Sequence, residues 1–120
     1  MNDDDELLTQ YSQAPLDIEE LLRMHEANPD NVNVLDCIAF SYYTKDDLDK
    51  ALEYYRKILA KDPDQSNAHY YIGNVLFRRR QLVAAMMSWK KVVALDPKSK
   101  LAKNAQERIE MALERVREMK

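Results

Sequence analysis

Two consecutive segments of equal length carry the pattern that decides the fold: residues 32–65, VNVLDCIAFSYYTKDDLDKALEYYRKILAKDPDQ, and residues 66–99, SNAHYYIGNVLFRRRQLVAAMMSWKKVVALDPKS. Eight positions are identical when the segments are superposed: Asn33/Asn67, Ile38/Ile72, Leu48/Leu82, Ala51/Ala85, Lys57/Lys91, Ala60/Ala94, Asp62/Asp96 and Pro63/Pro97. Other pairs keep their character, such as Ala39 with Gly73 and Tyr55 with Trp89. Similarity at a fixed period predicts a protein built from structural repeats.

Proline marks the same period over a longer stretch. Pro29, Pro63 and Pro97 are equally spaced by the length of one segment, and each is preceded by Asn or Asp. A residue before proline is disfavoured in the α region, so each of these pairs predicts the end of a helix.

Each half of a segment has the spacing of an amphipathic helix. Apolar residues recur at steps of three and four, first at Leu35, Ile38, Ala39, Tyr42 and Tyr43, then at Leu48, Ala51, Leu52, Tyr55, Ile58 and Leu59. The short polar stretch 45–47 separates the two halves. The pattern therefore predicts a pair of antiparallel helices in each segment.

These residues resemble the tetratricopeptide repeat. The positions that carry the resemblance are Leu35, Ile38, Ala39, Tyr42, Ala51, Tyr55, Ile58 and Pro63, and then His69, Ile72, Gly73, Leu76, Ala85, Trp89, Val92 and Pro97. The resemblance implies an all-α fold, a right-handed α-solenoid of antiparallel helix pairs that forms a superhelix. In this family the small residues stand where paired helices approach most closely.

The inter-helix turns depart from the family pattern. Where the family often has glycine, this chain has Asp46 and Arg80. Aspartate tolerates a left-handed backbone better than arginine does. We therefore expect the second turn to be either strained or built differently from the first.

We expect a single domain with four parts. Residues 1–31 form an acidic tail (1–5 disordered, a short helix near 7–11) and a degenerate helical repeat, residues 32–65 and 66–99 are the two repeats, and residues 100–120 are a C-terminal capping helix. One apolar face of that helix carries Leu101, Ala105, Ile109, Ala112, Val116 and Met119. Such a face covers the open side of a last repeat, or its end projects toward another chain.

Composition excludes several classes of protein. With one Gly and one Cys among 120 residues, the chain lacks the means for Gly-rich phosphate loops, an internal disulfide or a Cys-based zinc site. No apolar run is long enough to span a membrane, and the first six residues are acidic rather than basic as in a secretory signal. We expect a cytoplasmic protein that does not act on membranes.

The reactive side chains do not converge in the sequence. His25 and His69 lie more than one repeat apart, and Cys37 has no histidine near it in the repeat register. We therefore expect no enzyme, no cofactor and no metal site. The run Arg78–Arg80 suits either a helix C-terminus or an anion, and because the chain is acidic overall we expect no binding to nucleic acid.

The resemblance also implies a binding groove, because first helices line a concave surface in this family. The candidate site residues are Asn33, Asp36, Phe40 and Tyr43 (with Cys37 and Thr44) in the first repeat and Asn67, Tyr70, Tyr71, Asn74, Phe77 and Arg78 in the second. A surface rich in aromatic and amide groups predicts a non-catalytic protein–protein interaction module that holds a peptide or helix. The alternative is that the aromatic residues serve packing alone.

Chaperone-binding members of the family grip a C-terminal carboxylate with Lys, Asn and Arg. In this chain only Asn74 matches, since Asp36 and Tyr70 take the Lys positions and Leu101 and Ala105 the basic positions of the last helix. We expect no binding to chaperone tails.

Charge is distributed unevenly along the chain. Residues 1–62 hold 15 acidic and 6 basic residues, a net charge of −9, and residues 63–120 hold 6 acidic and 12 basic residues, a net charge of +6. The alternative function is therefore a self-assembling scaffold, a homo-oligomer joined through its complementary ends and the C-terminal helix. Chance sorting in a monomer remains the simpler explanation.

Overall fold

The computed structural model describes residues 17–119, and that part of the chain consists of six α-helices without a strand. The helices are α1 (Ile18–Ala27), α2 (Val32–Thr44), α3 (Leu48–Lys61), α4 (Ser66–Arg78), α5 (Leu82–Leu95) and α6 (Lys100–Glu118). The predicted all-α class is confirmed. The acidic tail and the short helix expected near residues 7–11 lie outside the described residues.

The helix bounds follow the sequence period. Both ends of α4 lie one repeat after the ends of α2, and both ends of α5 lie one repeat after those of α3. α1, α3 and α5 each end two residues before a proline, at Ala27, Lys61 and Leu95. The prediction that each Asn-Pro or Asp-Pro pair ends a helix is therefore confirmed.

The described chain divides into two compact units between Lys61 and Asp62. In the first unit α2 packs against α3, and α1 packs against α2. Leu21 and Met24 of α1 are buried together with Val34 and Ile38 of α2. Leu21 and Met24 stand one repeat before Tyr55 and Ile58 in the sequence, and the degenerate repeat that this spacing indicates stays a prediction.

The second unit joins α4, α5 and α6. α5 packs against both other helices, and α4 also touches α6. The buried residues of α6 are Ala102, Ala105, Ile109 and Ala112. Leu101 is only half-buried, so the buried stripe begins one residue later than predicted. Met119, directly after the helix, is 73% exposed, so the apolar face is not covered at the C-terminal end.

Both inter-helix turns have the same backbone geometry. Asp46 has a φ of 66° and Arg80 a φ of 62°. The Arg80 N–H donates to the Phe77 carbonyl and the Gln81 N–H to the Leu76 carbonyl, and Asp46 and the residue after it make the equivalent bonds one repeat earlier. This is the Schellman pattern that usually places glycine at the left-handed position. The second turn is thus built like the first, and Arg80 carries the strain.

Replacing Arg80 with glycine is expected to raise the free energy of unfolding by about 0.5–1 kcal/mol. A left-handed non-glycine residue costs roughly 1–2 kcal/mol, part of which is offset because glycine has more freedom in the unfolded chain. Urea unfolding followed by circular dichroism measures the change. Asp46→Gly is the matched control and should gain less; a loss of stability in Arg80→Gly would contradict the strain.

Candidate functional site

The candidate face of the first unit lies on α2. Asn33 is exposed, Asp36 is half-buried, and Phe40 is 45% exposed beside the half-buried Tyr43. The rings of Phe40 and Tyr43 are stacked, with centroids 6.3 Å apart and an interplanar angle of 20°. The face therefore offers a flat apolar surface bordered by one amide and one carboxylate.

The environment of Cys37 does not favour catalysis by its thiol. Its side chain packs against the core shared by α1 and α2. Burial raises the pKa of the thiol, and the charge of Asp36 raises it further. A protonated thiol is a poor nucleophile, so Cys37 serves packing.

The two histidines lie in different local environments. Burial, followed by the charges of Lys57 and Lys61, lowers the pKa of His25, so the ring favours its neutral form although it stands in the last turn of α1. His69 Nε2 lies 2.7 Å from the Pro63 carbonyl, to which it donates, and this bond ties the segment before α4 to that helix.

The candidate face of the second unit lies on α4. Asn67, Tyr71 and Phe77 are half-buried and Arg78 is exposed. Tyr70 and Asn74 are 7% and 4% exposed. Tyr70 and Asn74 therefore present much less surface to a ligand than the other residues of this face.

Trp89 of α5 holds the two buried members in place. Its indole N–H donates to the Tyr70 carbonyl oxygen and to Asn74 Oδ1, both at 3.2 Å. The Tyr70 hydroxyl accepts a hydrogen bond of 2.7 Å from Arg108 Nε. Because its amide is engaged inside the unit, Asn74 supports the face and presents little of itself to solvent.

Two arginines of α6 lie over aromatic rings of α4. The guanidinium of Arg108 is 5.4 Å from the ring centre of Tyr70, and that of Arg115 is 5.2 Å from the ring centre of Phe77. The two arginines are seven residues apart on α6, and the two aromatic residues are seven residues apart on α4. The same contact therefore recurs after about two helical turns. The sequence reasoning missed these arginines, because residues 100–120 were treated only as a cap; the seven-residue spacing was the available signal.

Cavities adjoin the α4 face in the second unit. The polar pocket, about 410 Å³, is lined by Tyr70, Asn104, Glu107, Arg108 and Met111. The arginine pocket, about 310 Å³ and more enclosed, is lined by Phe77, Arg80, Leu82, Arg115 and Met119. Within residues 17–119 no group of His, Cys, Asp or Glu side chains could hold a metal ion, and no helix is long and apolar enough to cross a membrane.

The family model of the tetratricopeptide repeat matches residues 32–65. Residues 32–65 are a tetratricopeptide repeat. The segment 66–99 reproduces the helix bounds of this repeat at the same positions within the segment. No curated protein sequence matches the chain.

Solved structures extend the tetratricopeptide-repeat fold over most of the chain. The first such domain of Spaghetti (RPAP3) bound to the HSP90 peptide SRMEEVD is 22% identical with a TM-score of 0.71, over 88% of this chain and 81% of that one. The Arabidopsis OM64 domain is 18% identical with a TM-score of 0.70, over 84% and 81%. YrrB, described as having an unusual peptide-binding site, is 22% identical with a TM-score of 0.70, over 85% of this chain and 53% of its own length.

Proposed function

We propose that the chain is a non-catalytic protein-interaction module that binds a peptide or helix on its first-helix faces. The observation that carries the proposal is the α4 face of the second unit, where the contact between Arg108 and the Tyr70 ring lines the open polar pocket. On the first unit, the stacked pair of Phe40 and Tyr43 offers a second contact surface.

The chemistry of the polar pocket suits a peptide. Asn104 can donate to and accept from a peptide backbone, and Glu107 and Arg108 offer one charge of each sign. Met111 is 44% exposed, and a flexible apolar side chain adapts to varied partners. The lining holds neither histidine nor cysteine, the usual base and nucleophile near neutral pH, which supports a binding role over catalysis.

Structural neighbours that bind peptides support the class of ligand. The Spaghetti domain holds an HSP90 peptide and YrrB has a peptide-binding site. The proposed ligand of this chain is not a chaperone tail, because Asp36 and Tyr70 replace the lysines and Asn74 is bonded to Trp89.

Peptides selected from a random library on the purified chain test the proposal. Combining Arg108→Ala and Met111→Ala should weaken their binding by about tenfold or more, because an anchor and a charge are lost together. The matched control combines Lys103→Ala and Met87→Ala, which removes a positive charge and a methionine from exposed positions outside both pockets. Fluorescence anisotropy measures both; equal loss in the two forms, or a library without binders, would contradict the proposal.

A further inference from the structure

The arginine pocket combines apolar walls with two positive charges. Phe77, Leu82 and Met119 supply the apolar surface, and Arg80 and Arg115 supply the charges. The pocket lies where the α4–α5 turn meets the C-terminal end of α6. Met119 at its rim is 73% exposed, so the entrance is open to solvent.

The two arginines of the pocket are held in place in different ways. Arg115 lies over the Phe77 ring, and the left-handed Schellman geometry fixes the backbone of Arg80. Within residues 17–119, neither arginine forms an ion pair with a carboxylate. Arginine binds carboxylates through paired hydrogen bonds, and the apolar walls can contact a large apolar side chain. The pocket therefore suits a segment in which carboxylates precede a large apolar residue.

The chain itself contains such a segment. Residues 3–8 read Asp-Asp-Asp-Glu-Leu-Leu, four acids followed by two leucines. A cavity of about 310 Å³ has room for a leucine side chain. The segment belongs to the half of the chain with net charge −9 and the pocket to the half with net charge +6, so the segment of one copy and the pocket of another attract each other.

We propose that the arginine pocket binds residues 3–8 of a second copy of this chain. Each copy carries one pocket and one segment, and the contact therefore joins different surfaces of the two copies. Such a head-to-tail contact leaves an unused pocket at one end and an unused segment at the other, so assembly continues into chains or rings. This inference does not depend on the peptide-binding function of the polar pocket.

Two full-length variants test the contact from its two sides. One carries Arg115→Glu in the pocket, and the other carries Asp3→Lys, Asp4→Lys and Asp5→Lys in the segment. Lys103→Glu is the matched control, because it makes the same charge change on an exposed residue of α6 outside the pocket. Sedimentation velocity at low and high salt measures association, and circular dichroism verifies the fold of each variant.

The wild-type chain should associate at low salt and dissociate as salt rises. Either variant alone should associate about tenfold or more weakly, and Lys103→Glu should stay within about twofold of wild type. Mixing the two variants should restore a heterodimer, because the intact segment of one meets the intact pocket of the other. A wild-type chain that stays monomeric would overturn the proposal. That result is expected if the segment docks within its own chain, or if only a foreign acidic peptide binds. A mixture of the two variants that associates no more strongly than either variant alone would also overturn it.

Discussion

Replacing Gly73 with alanine is expected to lower the free energy of unfolding by about 1–3 kcal/mol, although alanine is the better helix former. A Cβ added at Gly73 would stand 2.5 Å from Cδ1 and 2.8 Å from Cε2 of Trp89. These separations are far shorter than carbon atoms tolerate. Trp89 has no exposed surface, so the indole cannot move aside without disturbing the core of the second unit.

The first repeat supplies the control for this prediction. There Ala39 and Tyr55 occupy the positions of Gly73 and Trp89. In a Trp89→Tyr background, Gly73→Ala should therefore cost much less, or stabilise by up to about 1 kcal/mol through its helix propensity. Urea unfolding of the four chains followed by circular dichroism measures the coupling. Equal effects of Gly73→Ala in both backgrounds would show that the indole does not cause the loss.

Replacing Trp89 with phenylalanine is expected to cost about 2–4 kcal/mol, of which roughly 1–3 comes from a buried acceptor left without its donor. The indole N–H donates to Asn74 Oδ1 at 3.2 Å, and Asn74 is 4% exposed. A phenyl ring fills most of the space but donates no hydrogen bond. The Tyr70 carbonyl loses the same donor, yet a helix carbonyl retains its backbone bond, so we assign most of the polar loss to Asn74.

An Asn74→Ala background separates the hydrogen bond from the volume. Once the amide is absent, Trp89→Phe should lose only the packing part of its effect, and the double-mutant cycle should give a coupling of about 1–3 kcal/mol. Trp89 is the single tryptophan of the chain, so unfolding must be followed by circular dichroism rather than intrinsic fluorescence. Additive effects would place the role of Trp89 in packing alone.

The fold could be predicted because its determinants are local and recur. The equally spaced prolines fixed the ends of α1, α3 and α5, and the steps of three and four fixed the apolar faces. Gly73 could be assigned to a close approach of paired helices because it occupies the position of Ala39. These features depend on neighbours within one helix or one repeat, which a sequence displays directly.

The candidate site was less accessible because its contacts join residues far apart in sequence. Arg108 bonds to Tyr70 across 38 positions. The seven-residue spacing of Arg108 and Arg115 indicates that they share a helix face, but it does not indicate which side chains that face meets. Asn74 was predicted to line the groove, and in the structure its side-chain oxygen accepts a hydrogen bond from the indole N–H of Trp89. The turn at Arg80 posed another difficulty. The sequence left open whether this turn is strained or is built differently from the first, and the backbone angle φ decides between the two.

The left-handed turn at Arg80 has a consequence for how the chain can change by mutation. The residue that strains the turn also lines the arginine pocket. Glycine at this position would relax the backbone and also remove one of the two charges of the pocket. A substitution that increases the stability of the fold would therefore weaken the docking of an acidic segment. The equivalent turn of the first repeat carries Asp46, which bears the opposite charge in the same backbone geometry. Selection acting on that position alone could set the polarity of a surface without altering the helices on either side.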